Sequence, residues 1–344
     1  MKKTVLMLAC AACFAGAAVA QDAASLFQQG KAALEKFDQM SADQIKAKMQ
    51  NPDAPDATLA ERTDLLLNGM ALLQQALPLD SVKETNKDGS YKIDKKTGLP
   101  KIKTKYSKDI VPLLKNHVGD VATAGNTALQ ASDWATCYKA FSAYSKILEA
   151  PNMELTPTPE ARAEAGFFEG YSAYMLKDYA GAFPALKRAV DLGYKENQVV
   201  DFKNSCVANM IQTLIDAKKF DDANSLIDGL VNMEPQNAFN QDIKGFVVEQ
   251  EKGMKEALPF YKKSAELDPN FADAQLNIGR CMYKEAEDII DANPNATNAQ
   301  LAPKLVPLYK QMLPVFEKVM TLDPNNKQAT RFIEDIKYKL DLLK

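Results

Sequence analysis

Glu256-Ala-Leu-Pro-Phe-Tyr-Lys-Lys-Ser-Ala-Glu-Leu-Asp-Pro-Asn270, followed by Ala274-Gln-Leu-Asn-Ile-Gly-Arg-Cys-Met-Tyr283, is the stretch from which the fold can be read. Its landmarks recur: Pro235 and Pro269 stand 34 residues apart, and so do Gly245 and Gly279. Each proline follows a short polar or acidic run that closes an apolar-periodic segment (Asn232-Met-Glu, then Glu266-Leu-Asp). Two unrelated landmarks with one period mark a repeated helix-turn-helix unit.

The first of these stretches resembles the second helix and exit turn of a tetratricopeptide repeat, and the second resembles the first helix of the next unit. Working outward, Gly125 with Asp133-Trp-Ala-Thr-Cys137, Gly170 with Lys177-Asp-Tyr179, Lys219-Phe-Asp-Asp-Ala223, and Gly253-Met-Lys-Glu-Ala257 supply similar turns and second helices. The family's tryptophan position is not reproduced, and its leucine before the glycine survives only as Ile278. The resemblance covers most of the chain and implies an all-α, right-handed superhelical solenoid of helix-turn-helix repeats.

The ends depart from the period. Residues 21–80 read as a degenerate first repeat, with helices over about Asp22–Phe37 and Thr58–Leu77 around a polar insert, Ser41–Asp56, that carries a short helical pattern (Ile45, Met49). Residues 81–108 break the helical pattern. Asp88-Gly89, Thr97-Gly98 and Pro100 punctuate two short alternating runs, Tyr91-Lys-Ile-Asp94 and Leu99-Pro-Lys-Ile-Lys103, which predict a small β-hairpin with Pro100 at an edge. Repeats then fill 109–324, the last expanded around Asp291–Asn298, and residues 325–344 give a capping helix with Ile333, Ile336, Leu340 and Leu343 on one face.

Residues 1–20 combine Lys2 and Lys3, an apolar run from Val5, and a small-x-small end at Ala18-Val-Ala20, the pattern of a secretory signal cleaved near Ala20. Cys10 and Cys13 lack a convincing lipidation context. No later segment approaches a membrane-spanning length of apolar residues. The expected location is therefore the periplasm or another exported compartment.

The whole chain has 42 basic and 45 acidic residues, a balance that argues against a general nucleic-acid binder. Cys137, Cys206 and Cys281 are too few and too scattered for a disulfide framework and read as core filler. The one histidine, His117, lies between Leu114 and Val118 without a metal-spaced companion, and a nucleophilic pairing with Cys137 has no orienting group in view. Glu84-Thr-Asn-Lys-Asp-Gly89 superficially resembles a calcium loop, but its first position is Glu and its closing position is Lys95. The sequence predicts no enzyme, no cofactor and no metal.

In the resembled family the first helix of each unit lines a concave groove. That places Phe167, Tyr171, Tyr174, Gln212, Phe246, Arg280, Tyr283 and Lys284 in a partner-binding groove, with Phe167 and Phe246 equally suited to the core. The family's mode of gripping a terminal carboxylate finds no matching Lys and Asn set. The expected function is a non-enzymatic scaffold of the bacterial cell envelope that binds a protein or peptide segment. The alternative is a binding protein for envelope carbohydrate or anionic polymer, with Trp134 as a stacking platform. The insertion holds nine lysines against three acids; Lys101, Lys103 and Lys105 read either as a solvated loop or as a contact for an anionic surface.

Overall fold

The computed structural model describes residues 22–53, 55–80, 82–150, 155–196 and 198–344, so the expected signal segment lies outside the described residues. Two compact units divide the chain, one ending at Lys203 and the other beginning at Asn204. The first holds α1 (Ala23–Gln50), α2 (Leu59–Leu79), α3 (Ser107–Gln130), α4 (Trp134–Glu149), α5 (Pro159–Met175), α6 (Tyr179–Asp191) and the start of α7 (Gln198–Asp216). The second holds the rest of α7, then α8 (Phe220–Met233), α9 (Ala238–Lys252), α10 (Met254–Leu267), α11 (Ala272–Asp291), α12 (Asn298–Leu322) and α13 (Lys327–Leu342). Consecutive helices pack as antiparallel pairs, so the chain is an all-α array of helix-turn-helix units.

The pairs share two local devices. At three helix turns a non-glycine residue takes the left-handed conformation: Ser132 (φ 54°), Lys177 (φ 61°) and Lys218 (φ 56°). The next N–H then reaches back five residues, from Asp133 to Ala128 O (2.9 Å), Asp178 to Ala173 O (3.0 Å) and Lys219 to Leu214 O (2.8 Å). This bond satisfies a carbonyl that the helix end would leave unpaired. Asp133 and Asp178 also cap the following helix, accepting from the Thr136 and Gly181 N–H groups.

Between units, the prolines of the sequence period occupy one repeated turn. The residue before each proline accepts a backbone N–H three positions on: Glu234 from Asn237, Asp268 from Phe271, Asp323 from Asn326, at 3.0–3.1 Å. Proline suits the second position of such a turn because its φ is already set there.

The periodic glycines mark where paired helices meet. A Cβ on Gly245 would lie 2.6 Å from the Tyr261 ring, one on Gly279 would lie 2.6 Å from Phe316, and one on Gly170 would lie 2.6 Å from Leu186. In the first pair it is backbone that approaches: a Cβ on Gly30 would lie 2.9 Å from Gly69 O. Around this contact Leu34, Leu66, Met70, Leu73, Ile110 and Leu114 form a closed apolar core.

One expectation at the N-terminal end needs correction. α1 does not stop near Phe37: the segment expected as a separate short helix forms its last turns, up to Asn51 and Pro52. No breaker precedes Asn51, and the pairs Gln39–Asp43 and Lys46–Asp43 support the exposed flank. A helix continues through polar residues when nothing interrupts its backbone bonds, whether or not a core covers it.

The insertion holds the expected hairpin, with Ile93 opposite Pro100 and Lys101 N donating to Lys92 O, and adds to it an antiparallel neck and a second small lobe. β1 (Val82–Lys83) and β2 (Ile102–Lys103) pair antiparallel as a neck. Beyond it Glu84 N donates to Lys101 O (2.9 Å), Lys101 N to Lys92 O (2.7 Å) and Lys92 N to Glu84 O (2.9 Å), a closed ring of three backbone bonds. Two small lobes leave this ring, turning at Gly89 (φ 84°) and Gly98 (φ 69°). Pro100 faces Ile93 in a pair whose flanking residues carry the bonds, so its missing N–H costs nothing.

Candidate functional site

An open cleft of about 900 Å³ lies where α1 overruns its partner. Its walls are the last turns of α1, Asp53, Pro55 and Asp56 of the connection, the start of α2, and α3 from Asp120 to Gln130 with its cap Ala131. Ile45 and Met49 line it while remaining 58% and 79% exposed, over a floor that includes the buried Phe37 and Leu59. Such side chains on a concave surface carry the apolar part of a binding interaction.

The charges of the cleft are divided. Arg62 is committed internally: its Nη2 donates to Asp56, its Nη1 to Ser41 Oγ (3.1 Å) and its Nε to Thr58 Oγ1 (3.1 Å), which ties α1 to the start of α2. Lys48 donates to the Pro52 carbonyl (3.1 Å). Four carboxylates (Asp38, Asp53, Asp56 and Asp120) outnumber Lys48 and Arg62 among the lining residues, so the cleft is acidic. Burial raises the Asp120 carboxyl pKa, with His117 opposing and Asp38 adding to the rise. His117 is buried and held by its neighbours, with Nδ1 at 2.9 Å from Leu113 O and Nε2 at 3.3 Å from Asp38 Oδ1.

The α5 stripe is less open than its spacing suggests. Phe167 is buried and stacks on Tyr194 (4.5 Å between centroids), with Phe168, Tyr171 and Phe202 around it; it is a core residue and lines no groove. Tyr171 and Tyr174 are half-buried, both against Phe202 at 5.0 Å. Trp134, half-buried at the start of α4, meets Tyr171 edge-on at 5.6 Å and so serves packing.

In the second unit Gln212 is exposed and bonds Asp216 (2.7 Å), Phe246 is half-buried, and Lys284 pairs with Asp288 (2.6 Å). Tyr283 faces the terminal helix: its hydroxyl donates to Asp335 and accepts from Lys339, and its ring lies 4.8 Å from Phe332. This is a correction of its expected groove position, because α13 packs over the side of α11 that carries it.

Arg280 belongs to a polar chain across three helices. Asn277 Nδ2 donates to both Asp242 oxygens (3.0 and 3.3 Å), and Arg280 bridges Asn277 Oδ1 (2.8 Å) and Glu249 Oε1 (2.7 Å). Tyr261 closes the chain on Glu249 Oε2 (2.6 Å). Burial pushes the Asp242 carboxyl up to about 7; the Asn277 bond opposes the rise and nearby Asp273 adds to it. Lys101, Lys103 and Lys105 are all exposed on the insertion.

Among the described residues no group of three or more His, Cys, Asp or Glu side chains could hold a metal, and no helix is long and apolar enough to cross a membrane. Cys137 and Cys281 are buried and their thiols are pushed up to about 11 and 12, chiefly by burial, which suppresses the reactive thiolate. The cleft residues went unassigned because their relevance depends on where α1 ends. The one sequence signal was Ile45 and Met49, spaced four apart in a polar segment.

No family model matches the sequence, and neither does any curated protein. Similar solved structures include a TPR repeats protein from Bacteroides fragilis, at 17% identity over 64% of this chain and 98% of that one, TM-score 0.36. Another is YrrB, described as a TPR protein with an unusual peptide-binding site, at 15% identity over 66% and 97%, TM-score 0.34. The TPR2AB domain of yeast Sti1 in complex with pHSP90 aligns over 93% and 98% at 10% identity, TM-score 0.28. The fold itself rests on the repeated turns and glycine contacts of this chain.

Proposed function

We propose that this array of tetratricopeptide-like helix pairs is a non-enzymatic scaffold of the bacterial cell envelope that holds a segment of a protein partner. The observation that carries the reading is the cleft over α1, α2 and α3, which sets exposed Ile45 and Met49 beside Asp38, Asp53 and Asp120. Its occupant is an amphipathic segment, with apolar side chains against Ile45 and Met49 and Lys or Arg side chains toward the three carboxylates. Tyr171 and Tyr174, both half-buried, offer a second contact on the same unit. The pattern of residues 1–20 supports the envelope location.

The test is affinity purification from the native envelope followed by mass spectrometry, with wild type beside Ile45→Gln, Met49→Gln. Both side chains are mostly exposed, so helical content is expected to stay unchanged while partner recovery falls at least tenfold. Equal recovery by the double variant overturns the cleft reading. Location is checked separately by fractionation and by the mass of the product, expected to begin at Gln21; an intact chain in the cytoplasm overturns it.

A further inference from the structure

The lysine-rich insertion leaves both of its faces in solvent. Directly opposed strand residues share a face, and so do residues two apart on one strand. Val82 opposes Lys103, Lys83 opposes Ile102, Thr85 opposes Tyr91 and Ile93 opposes Pro100. One face therefore carries Tyr91, Ile93 and Ile102, with Lys83 at 5.0 Å from the centre of the Tyr91 ring. The other carries Lys92, Lys101 and Lys103 together with Val82 and Leu99. All five of these aliphatic and aromatic side chains are more than half exposed, and a Cβ added at either lobe tip, Gly89 or Gly98, would meet nothing within 4 Å. Exposed apolar groups interleaved with one sign of charge mark an interaction surface.

We infer that this insertion is a membrane-docking element that enters the interface of a bilayer bearing anionic lipid, lobes first, with its lysines on the headgroups. Charge supports the occupant: the insertion is nine lysines against three acids, whereas all other residues number 33 basic against 42 acidic. An anionic surface attracts the insertion and repels the rest, which confines contact to the lobes. The apolar groups decide between anionic partners. A soluble polyanion offers nothing to Tyr91, Ile93 and Ile102. A polypeptide laid on one face leaves Val82 and Leu99, or else Ile93 and Ile102, in water. A bilayer interface entered edge-on receives the apolar chains of both faces while the lysine stems reach back to the headgroups. Asp80, which binds the far end of the insertion, holds the element on the helical body.

The experiment is cosedimentation of the full chain with phosphatidylcholine vesicles, with and without phosphatidylglycerol. All variants carry residues 1–20, so any contribution from that segment is common to them. Binding is expected only with phosphatidylglycerol. It should weaken about fivefold per lysine in Lys101→Gln, Lys103→Gln, Lys105→Gln, and fall comparably in Tyr91→Ser, Ile93→Ser, Leu99→Ser, where no charge changes. A Leu99→Trp variant in a Trp134→Phe background should shift its fluorescence to the blue on the anionic vesicles. No binding to anionic vesicles overturns the inference, and so does wild-type binding by the apolar variant, which indicates charge attraction alone. Equal affinity for soluble polyglutamate overturns it in favour of an acidic polypeptide, and an unshifted spectrum from the Leu99→Trp variant overturns insertion.

Discussion

The Asp80 carboxylate accepts the backbone N–H of Ser107 at 2.7 Å and its hydroxyl at 2.6 Å, across 27 residues of sequence. It accepts the Lys105 and Tyr106 N–H groups as well, at 3.0 and 2.8 Å. One buried side chain at the end of α2 thus caps α3 and closes the base of the insertion. Asp80→Ala should cost about 2–4 kcal/mol, more than an ordinary helix cap, because several partly buried donors lose their acceptor together. Urea unfolding measures this, and hydrogen exchange should show the loss concentrated at the amides of Tyr106 and Ser107. Unchanged protection there would mean that the insertion is held by other contacts.

The same carboxylate titrates with a definite sign. Burial alone would raise the Asp80 pKa, but the bonds from the Ser107 hydroxyl and the three backbone N–H groups outweigh it and hold it below the usual value. A depressed folded-state pKa contributes stability above the unfolded value of about 3.9, and that contribution is lost as pH falls through the folded value. Wild type is therefore expected to lose its advantage over Asp80→Asn only below about pH 4.

Asp242 behaves in the opposite way. Its carboxyl is raised to about 7 by burial, so the folded state retains a proton that the unfolded chain has released above about pH 4. Its contribution to stability is full below that unfolded value and declines as pH rises to about 7, by on the order of 4 kcal/mol. Asp242→Asn keeps an acceptor for Asn277 and removes the titration. Unfolding curves between pH 4 and 8 should be flatter for the variant, and the variant should be the more stable at pH 8. Parallel curves would place the pH dependence elsewhere.

Gly245 and Gly279 lie under the rings of Tyr261 and Phe316, at 2.6 Å from where a methyl would stand. Gly279→Ala should cost about 1–3 kcal/mol by overpacking, despite the better helix propensity of alanine. Phe316→Leu creates its own defect, yet combined with Gly279→Ala it should cost less than the sum, with a coupling of about 1 kcal/mol in thermal or urea melts. Strict additivity would show that the two positions do not press on one another.

The buried thiols Cys137 and Cys281, raised to about 11 and 12, should resist a thiol reagent at pH 7 in the folded protein. Cys206 is also buried. Labelling in urea should recover all three at unfolded rates, and rapid native labelling of any one would contradict its packing.

The sequence by itself determined what is local. The 34-residue period, the proline turns at Glu234, Asp268 and Asp323, and the glycines facing large side chains are all set within a helix pair or the turn that follows it, by backbone geometry and short-range sterics. The tertiary structure decided what depends on residues far apart. α1 ran past Phe37 because no breaker stops it, and the cleft beside Ile45 and Met49 followed from its meeting with α3, as the Asp38–His117 contact across 79 residues records. Phe167 and Tyr283 carry the spacing of a groove residue, yet Tyr194 and Phe202 close over the first and α13 over the second. Periodicity names the face of a helix on which a side chain stands; only the neighbour that arrives there determines whether that face meets water, a partner or the core.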